Sequence, residues 1–416
     1  MARAIPLPQD ELQRRRRFLR QAGVLGAMSA LGGSALSAFA ADPATVMLPF
    51  GNGLREMATF PQKRPLILLT SRPPQLETPF NVFNESILTP NDAFFVRYHW
   101  SGIPTSIDPQ TYRLRIGGNV NTPLELSLDD VKRVAGQAQL IAVTQCSGNS
   151  RGFSNPRVAG GQSGNGAMGN ARWSGVTLKS VLDKAGVKAG SVQVSFNGLD
   201  HPPVGNGPDF IKALDIDHAL DGEVMLAWQM NDADLPMLNG YPLRLIVPGY
   251  YGTYWVKNLS DINVLDKPFS GFWMNTAYRI PDNACACTAP GVATKMTPIN
   301  RYNVRSFITN LSDGATVQAG RANRLRGIAF DGGYGITGVE VSSDGGQNWQ
   351  SARLGQDLGK YSFREWTSSF TPPRPGSYEL KVRATNRIGQ SQPMEALWNP
   401  AGYMRNVVET TRVTAA

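Results

Sequence analysis

From about residue 291 to its end the chain keeps to one texture. Short runs of strand-forming residues (316–318, 325–330, 338–342, 363–370 and 378–385) alternate with turn signals, and helical periodicity is scarce. Roughly 125 residues patterned this way can bury their apolar positions only by stacking strands face to face. The texture predicts an immunoglobulin-like β-sandwich over 291–416. Asp344-Gly345 predicts a two-residue hairpin turn, because a type I′ turn needs positive φ at both central residues.

The preceding stretch, 81–290, is mixed. Residues 127–134 predict a helix with Ser127 as N-cap and Asp129 and Asp130 in its first turn. Residues 177–185 predict another, stopped at Gly186. Alternating or apolar runs at 112–116, 140–143, 192–196 and 243–247 predict strands. This reads as an α+β domain. Residues 41–80 are rich in proline without clear periodicity and predict an extended arm. The Pro281 to Pro298 stretch, which holds Cys285 and Cys287, is the expected boundary.

Residues 1–40 carry six Arg and two acidic residues, so they supply +4 of the net charge of +9. No basic run survives beyond them, which argues against a nucleic-acid partner. Arg14 to Arg17, then Phe18-Leu19-Arg20, form a twin-arginine core. A small, uncharged, weakly apolar stretch follows, ending in Ala38-Phe39-Ala40. This pattern predicts a signal peptide, export of a folded protein and a periplasmic location. No other uncharged stretch is long enough for a membrane helix, so no membrane span is expected in the mature chain.

The chemistry concentrates at 143–151. Cys146 follows an apolar strand and precedes a Ser-Gly-Asn turn, a place where loops build sites. Arg151, five residues on, would favour a thiolate. A small buried core cysteine is the competing reading. His99, His201 and His218 show no zinc spacing, and no Cys-x-x-Cys-His haem attachment occurs. Gly164 to Gly169 matches Gly-x-Gly-x-x-Gly. It lies inside a glycine-rich loop rather than between strand and helix, so it reads as a loop and not a dinucleotide site. The sequence leaves open whether Cys285 and Cys287 are reduced or paired with each other, and gives them no required role.

Several of these residues, taken in order, carry a resemblance. Cys146-Ser147-Gly148-Asn149-Ser150-Arg151 is similar to the molybdenum-ligand motif of the sulfite oxidase family. Thr89 to His99 resembles that family's TPN-x-x-FF-x-R-x-H segment, and Ala171 to Gly175 its ARW-x-G segment. The runs 197–200, 225–231, 240–249 and 256–257, and the Ser343 to Trp349 hairpin, also fit. The likeness covers about residues 80–405 and is nearest to bacterial periplasmic sulfite dehydrogenases.

That resemblance implies molybdenum held by Cys146 and a molybdopterin whose dithiolene brings the other sulfurs. It implies a substrate pocket formed by Arg97, His99, Arg151 and Tyr278. Val96, Arg97, Tyr98, His99, Asp200, Asn239, Arg244, Trp255, Val256 and Lys257 would contact the cofactor. Where the family uses an arginine from its C-terminal domain, this chain has Ala401, and Arg405 is the expected substitute. The implied reaction is oxidation of sulfite to sulfate, with electrons passed singly to a c-type cytochrome, since no haem is expected in this chain. The sandwich would serve in a homodimer, or the chain would pair with a cytochrome subunit. Within the same fold the alternatives are a thiosulfate-oxidation subunit and a methionine sulfoxide reductase. Outside it stands a non-catalytic periplasmic binding protein.

Overall fold

The computed structural model describes residues 44–416. The twin-arginine segment and its cleavage site lie outside the described residues.

The α+β expectation overstates the helices. Among the described residues the α-helices are Leu128–Arg133, Leu178–Ala185 and two single turns, Ile216–Ala219 and Phe272–Asn275. The two longer ones form where capping chemistry dictates. The Ser127 hydroxyl accepts from the Asp130 amide while the Asp130 carboxylate accepts from the Ser127 amide, a reciprocal capping box. Thr177 caps the second helix, and Gly186 ends it at φ +71°. Apart from four short 3-10 turns the other regular elements among the described residues are strands, many of them two to five residues long, too short to leave a clear period in the sequence.

The Pro-rich segment is not an extended arm. Thr45–Met47, Leu54–Ala58, Leu66–Thr70, Gln75–Glu77 and Val96–Arg97 form one five-stranded antiparallel sheet. Its register places Gln75 opposite Arg97. Leu66, Leu76, Val96, Tyr98 and Leu238 make a small core beneath it.

Two further sheets carry the domain that follows. Gln193–Gly198 pairs with Lys212–Asp215 and Leu259–Leu265, and the latter runs parallel to Leu114–Gly118. In the other, Met168–Thr177 lies between Gln137–Gln145 and Met225–Met230, and Arg244–Ile246 also pairs with Met225–Met230. Trp173 and Trp255 are buried between these elements, their rings 5.6 Å apart and tilted by 69°.

The expected boundary at 281–298 is itself paired: Arg279–Pro281 lies against Met296–Pro298. Cys285 and Cys287 are disulfide-bonded to each other. The last 120 or so residues form two sheets packed face to face. One holds Arg305–Ile308, Asn323–Phe330, Arg364–Phe370 and Arg353–Leu354. The other holds Ala315–Val317, Glu409–Ala415, Gly376–Asn386, Ile336–Ser342 and Gln350–Ser351. Leu325, Trp366 and Phe370 from the first meet Val339, Leu380 and Val382 from the second. Phe307, Ile328 and Phe330 turn outward from this core and join the main one, so the halves share apolar contact.

The Asp344-Gly345 turn differs from expectation. Positive φ falls on Gly345 and Gly346, not on Asp344. Val341 pairs with Gln350, leaving a longer loop, 342–349. The Asp344 carboxylate accepts from the amides of Gln347 and Asn348 and from the Ser342 hydroxyl, which organises that loop.

Candidate active site

Cys146 follows Gln137–Gln145 directly and is a free thiol. Two loops hold it. The Cys146 amide donates to the Ala167 carbonyl (2.9 Å), and the Ala167 amide donates to the Asn149 side chain (2.9 Å). The Ser150 amide donates to Gly164 O (2.7 Å), and the Ser163 hydroxyl donates to Gly148 O (2.7 Å). The glycine-rich loop is thus the partner of the cysteine loop, which explains the misleading Gly-x-Gly-x-x-Gly match. Gly148 and Gly160 leave room for Arg151: a Cβ on either would stand 2.7 Å from its guanidinium.

Behind the glycine-rich loop lies Glu77, a residue that sequence reasoning missed. Its carboxyl is buried and accepts from the amides of Gly164 (2.9 Å) and Gly166 (2.7 Å). Burial raises its pKa to about 7, against the opposing pull of those two amides.

The Cys146 side of the fold opens into two cavities. The larger, about 490 Å³, is lined by Cys146, Arg97, Arg151, Glu77, Tyr278, Ala401 and Tyr403, with Leu69, Leu76, Phe95 and Ala159 among its apolar walls. The narrower is lined by Cys146, Arg97, His99, Ser147, Asn239, Arg244, Trp255, Lys257 and Tyr278. Cys146, Arg97 and Tyr278 therefore border both.

Arg97 and His99 face the same cavity because side chains two apart on an extended strand share a side. Tyr98 points the other way: its hydroxyl donates to Asn258 Oδ1 (2.8 Å), and it lines neither cavity. His99 Nε2 is hydrogen-bonded to the Tyr278 hydroxyl, and its ring stacks on Phe210 at 3.6 Å. Burial first, then Arg97, Lys257 and Lys212, hold the His99 pKa well below its usual value, so the imidazole is neutral. Burial raises the Tyr278 pKa, so its phenol keeps its proton. Tyr278 itself sits at φ +58°, a left-handed conformation uncommon for so bulky a residue, and its ring stacks on Tyr403 at 5.5 Å with 1° between planes. Such a residue costs about 1–3 kcal/mol of strain and persists only when its surroundings over-determine it.

The narrower cavity is strongly cationic. Arg244 is buried, lies over Trp173 (5.2 Å) and Trp255 (5.8 Å), and donates to Asn239 O (3.0 Å). Burial lowers its pKa to about 10 and that of Lys257 to about 7. Lys257 donates to Arg97 O (2.7 Å) and lies 4.2 Å over Tyr98. Asn239 is oriented by Lys63, a buried residue also missed by sequence reasoning, whose ammonium donates to Asn239 Oδ1 and to Asn91 O (2.6 Å). Arg244 Nε and the Ser147 hydroxyl are buried without a hydrogen-bond partner. Buried donors left unpaired beside buried cations fit an anionic, hydrogen-bonding cofactor such as a pterin phosphate. Asp200 is buried near Lys257, and burial raises its pKa; it lines neither cavity, and nor does Val256. Val96 lines the larger one.

Arg405 does not replace the missing arginine. Its guanidinium lies over Phe153 (5.0 Å) and meets Glu409 (3.5 Å), away from both cavities. At the cavity the C-terminal segment presents Ala401, whose carbonyl accepts from Arg151 Nε (2.9 Å), and the ring of Tyr403, over which Arg151 lies at 5.1 Å.

A thiol between an arginine-lined cavity and a cationic one fits an oxidoreductase of the molybdopterin class. Family models agree: an oxidoreductase molybdopterin binding domain matches residues 100–273, and a Mo-co oxidoreductase dimerisation domain matches 296–415. Mitochondrial sulfite oxidase of Rattus norvegicus is 32% identical over 83% of this chain and 65% of its own length. Sulfite oxidase of Gallus gallus is 31% identical over 83% of this chain and 77% of its own. In structure the chain is similar to the sulfane dehydrogenase SoxCD of Paracoccus pantotrophus, with a TM-score of 0.70, 24% identity and coverage of 92% and 93%. The chain belongs to the sulfite oxidase family. It spans about two thirds of the length of the rat relative. No helix among the described residues is long and apolar enough to cross a membrane.

Proposed function

We propose that the chain oxidises sulfite to sulfate at a molybdenum–molybdopterin centre and passes the electrons singly to a c-type cytochrome. The observation that carries this reading is the position of Cys146 at the junction of the two cavities. Cys146 would hold the metal, while Arg244, Lys257, Asn239 and Ser147 would hold the pterin and its phosphate. When bound, this group supplies oxygen-atom transfer and takes up two electrons. The balance is sulfite plus water giving sulfate, two protons and two electrons.

The protein's own contribution follows from its residues. Arg97 and Arg151 bind the anion's oxygens with charge-assisted hydrogen bonds. Tyr403 and Ala401 hold the Arg151 guanidinium in one orientation. The neutral His99 and the protonated Tyr278 fix a hydroxyl at the border of both cavities, where it orients a bound oxygen and moves a proton without adding charge. Lys212, fully buried, steadies this pair from below: it donates to Trp273 O (2.6 Å) and lies 5.2 Å from the Tyr278 ring centre.

On the same reading the protein works in the periplasm after twin-arginine export, the sandwich is immunoglobulin-like, and it pairs two chains or a chain and a cytochrome. Steady-state assays with sulfite and cytochrome c test the activity. Turnover of methionine sulfoxide or of a carrier-bound sulfane, with none of sulfite, would move the assignment to another member of the fold.

A further inference from the structure

We infer that the larger cavity also accepts organosulfinates, R–SO₂⁻, and that the chain oxidises them to sulfonates. This inference rests on the reading of Cys146 as the metal ligand.

Three observations meet here. The cavity measures about 490 Å³, within the range of sites built for organic ligands, and takes in the place of the metal beside Cys146 as well as that of the substrate. Leu69, Leu76, Phe95 and Ala159 give its lining apolar surface beside the two arginines. Its charges are few: among the described residues Arg97 and Arg151 are its only cations, Glu77 adds a buried carboxyl, and the C-terminal segment contributes Ala401 rather than a cation. A sulfinate fits these features. Its two oxygens match a guanidinium fork, its organic group matches the apolar lining, and its sulfur keeps the lone pair that makes sulfite oxidisable.

The reaction balances as R–SO₂⁻ plus water giving R–SO₃⁻, two protons and two electrons. The new bond is sulfur to oxygen. The electrons leave to the same one-electron acceptor that sulfite oxidation uses.

The test uses the holoenzyme with methanesulfinate, benzenesulfinate and sulfite. Calorimetry should show benzenesulfinate binding about tenfold or more tighter than methanesulfinate, because its ring leaves water for the apolar wall. Mass spectrometry should find both sulfonates, formed with reduction of the acceptor. Leu69→Trp, which adds bulk to the apolar lining, should weaken benzenesulfinate more than methanesulfinate. Equal binding of the two sulfinates, or oxidation of sulfite with no sulfonate formed, overturns the inference and leaves sulfite oxidation standing. If neither sulfite nor a sulfinate is oxidised, both readings fall together.

Discussion

Arg97 carries two tasks at once: its side chain borders both cavities, and its carbonyl receives Lys257. Arg97→Ala removes a charge-assisted contact to the anion but leaves that backbone bond. It should raise the KM for sulfite about tenfold or more and change the KM for the electron acceptor little. Equal effects on both would mark a structural role. Tyr278→Phe keeps the ring stack on Tyr403 and removes only the hydroxyl that meets His99. It should lower kcat by about tenfold or more with a small change in KM, read by steady-state kinetics. The pocket residues Arg97, His99, Arg151 and Tyr278 were legible in the sequence because each sits in or near a motif. Arg405 was misplaced because a local motif cannot say which residue of a loop faces inward. Glu77, Lys63 and Lys212 act through burial and long-range bonds, which leave no local pattern.

The N-terminal sheet shows the limit of sequence periodicity at the level of elements. Its strands run two to five residues, so none shows a full alternation, and its prolines masked the pairing. Glu77 ends one of these strands and ties it to the glycine-rich loop. Its pKa is raised from 4.5 to about 7 in the fold. Between these values the native protein binds more protons than the unfolded chain, so the Glu77 contribution is full below about pH 4.5 and is lost as pH rises through about 7. The loss is on the order of 3 kcal/mol. Urea midpoints should fall over that window in the wild type and fall less in Glu77→Gln; an equal fall would remove Glu77 as the cause. The two capped helices, by contrast, were legible because caps are local chemistry. Ser127→Ala should cost about 1 kcal/mol in the same assay.

For the molecule as a whole, the division into a cofactor-binding part and a sandwich was legible in texture, but their joint was not. Arg305 is almost fully buried and bridges them: it donates to the Ser150 hydroxyl (3.0 Å) in the cysteine loop and pairs with Glu409 (2.9 Å) in the sandwich. Arg305→Ala leaves Glu409 with Arg405 alone and should cost roughly 1–3 kcal/mol, with faster loss of activity on heating. The scarcity of cysteine is explained at this scale too. One thiol suffices for the metal if a pterin supplies the remaining sulfurs, and Cys285 and Cys287 are paired with each other. Metal analysis of the purified chain, taken with its absorption spectrum and its turnover of sulfite, addresses the central claim most directly. The account predicts about one molybdenum per chain and no sulfite turnover in Cys146→Ser. A chain that oxidises sulfite without molybdenum, or a Cys146→Ser variant that keeps full turnover, would contradict it.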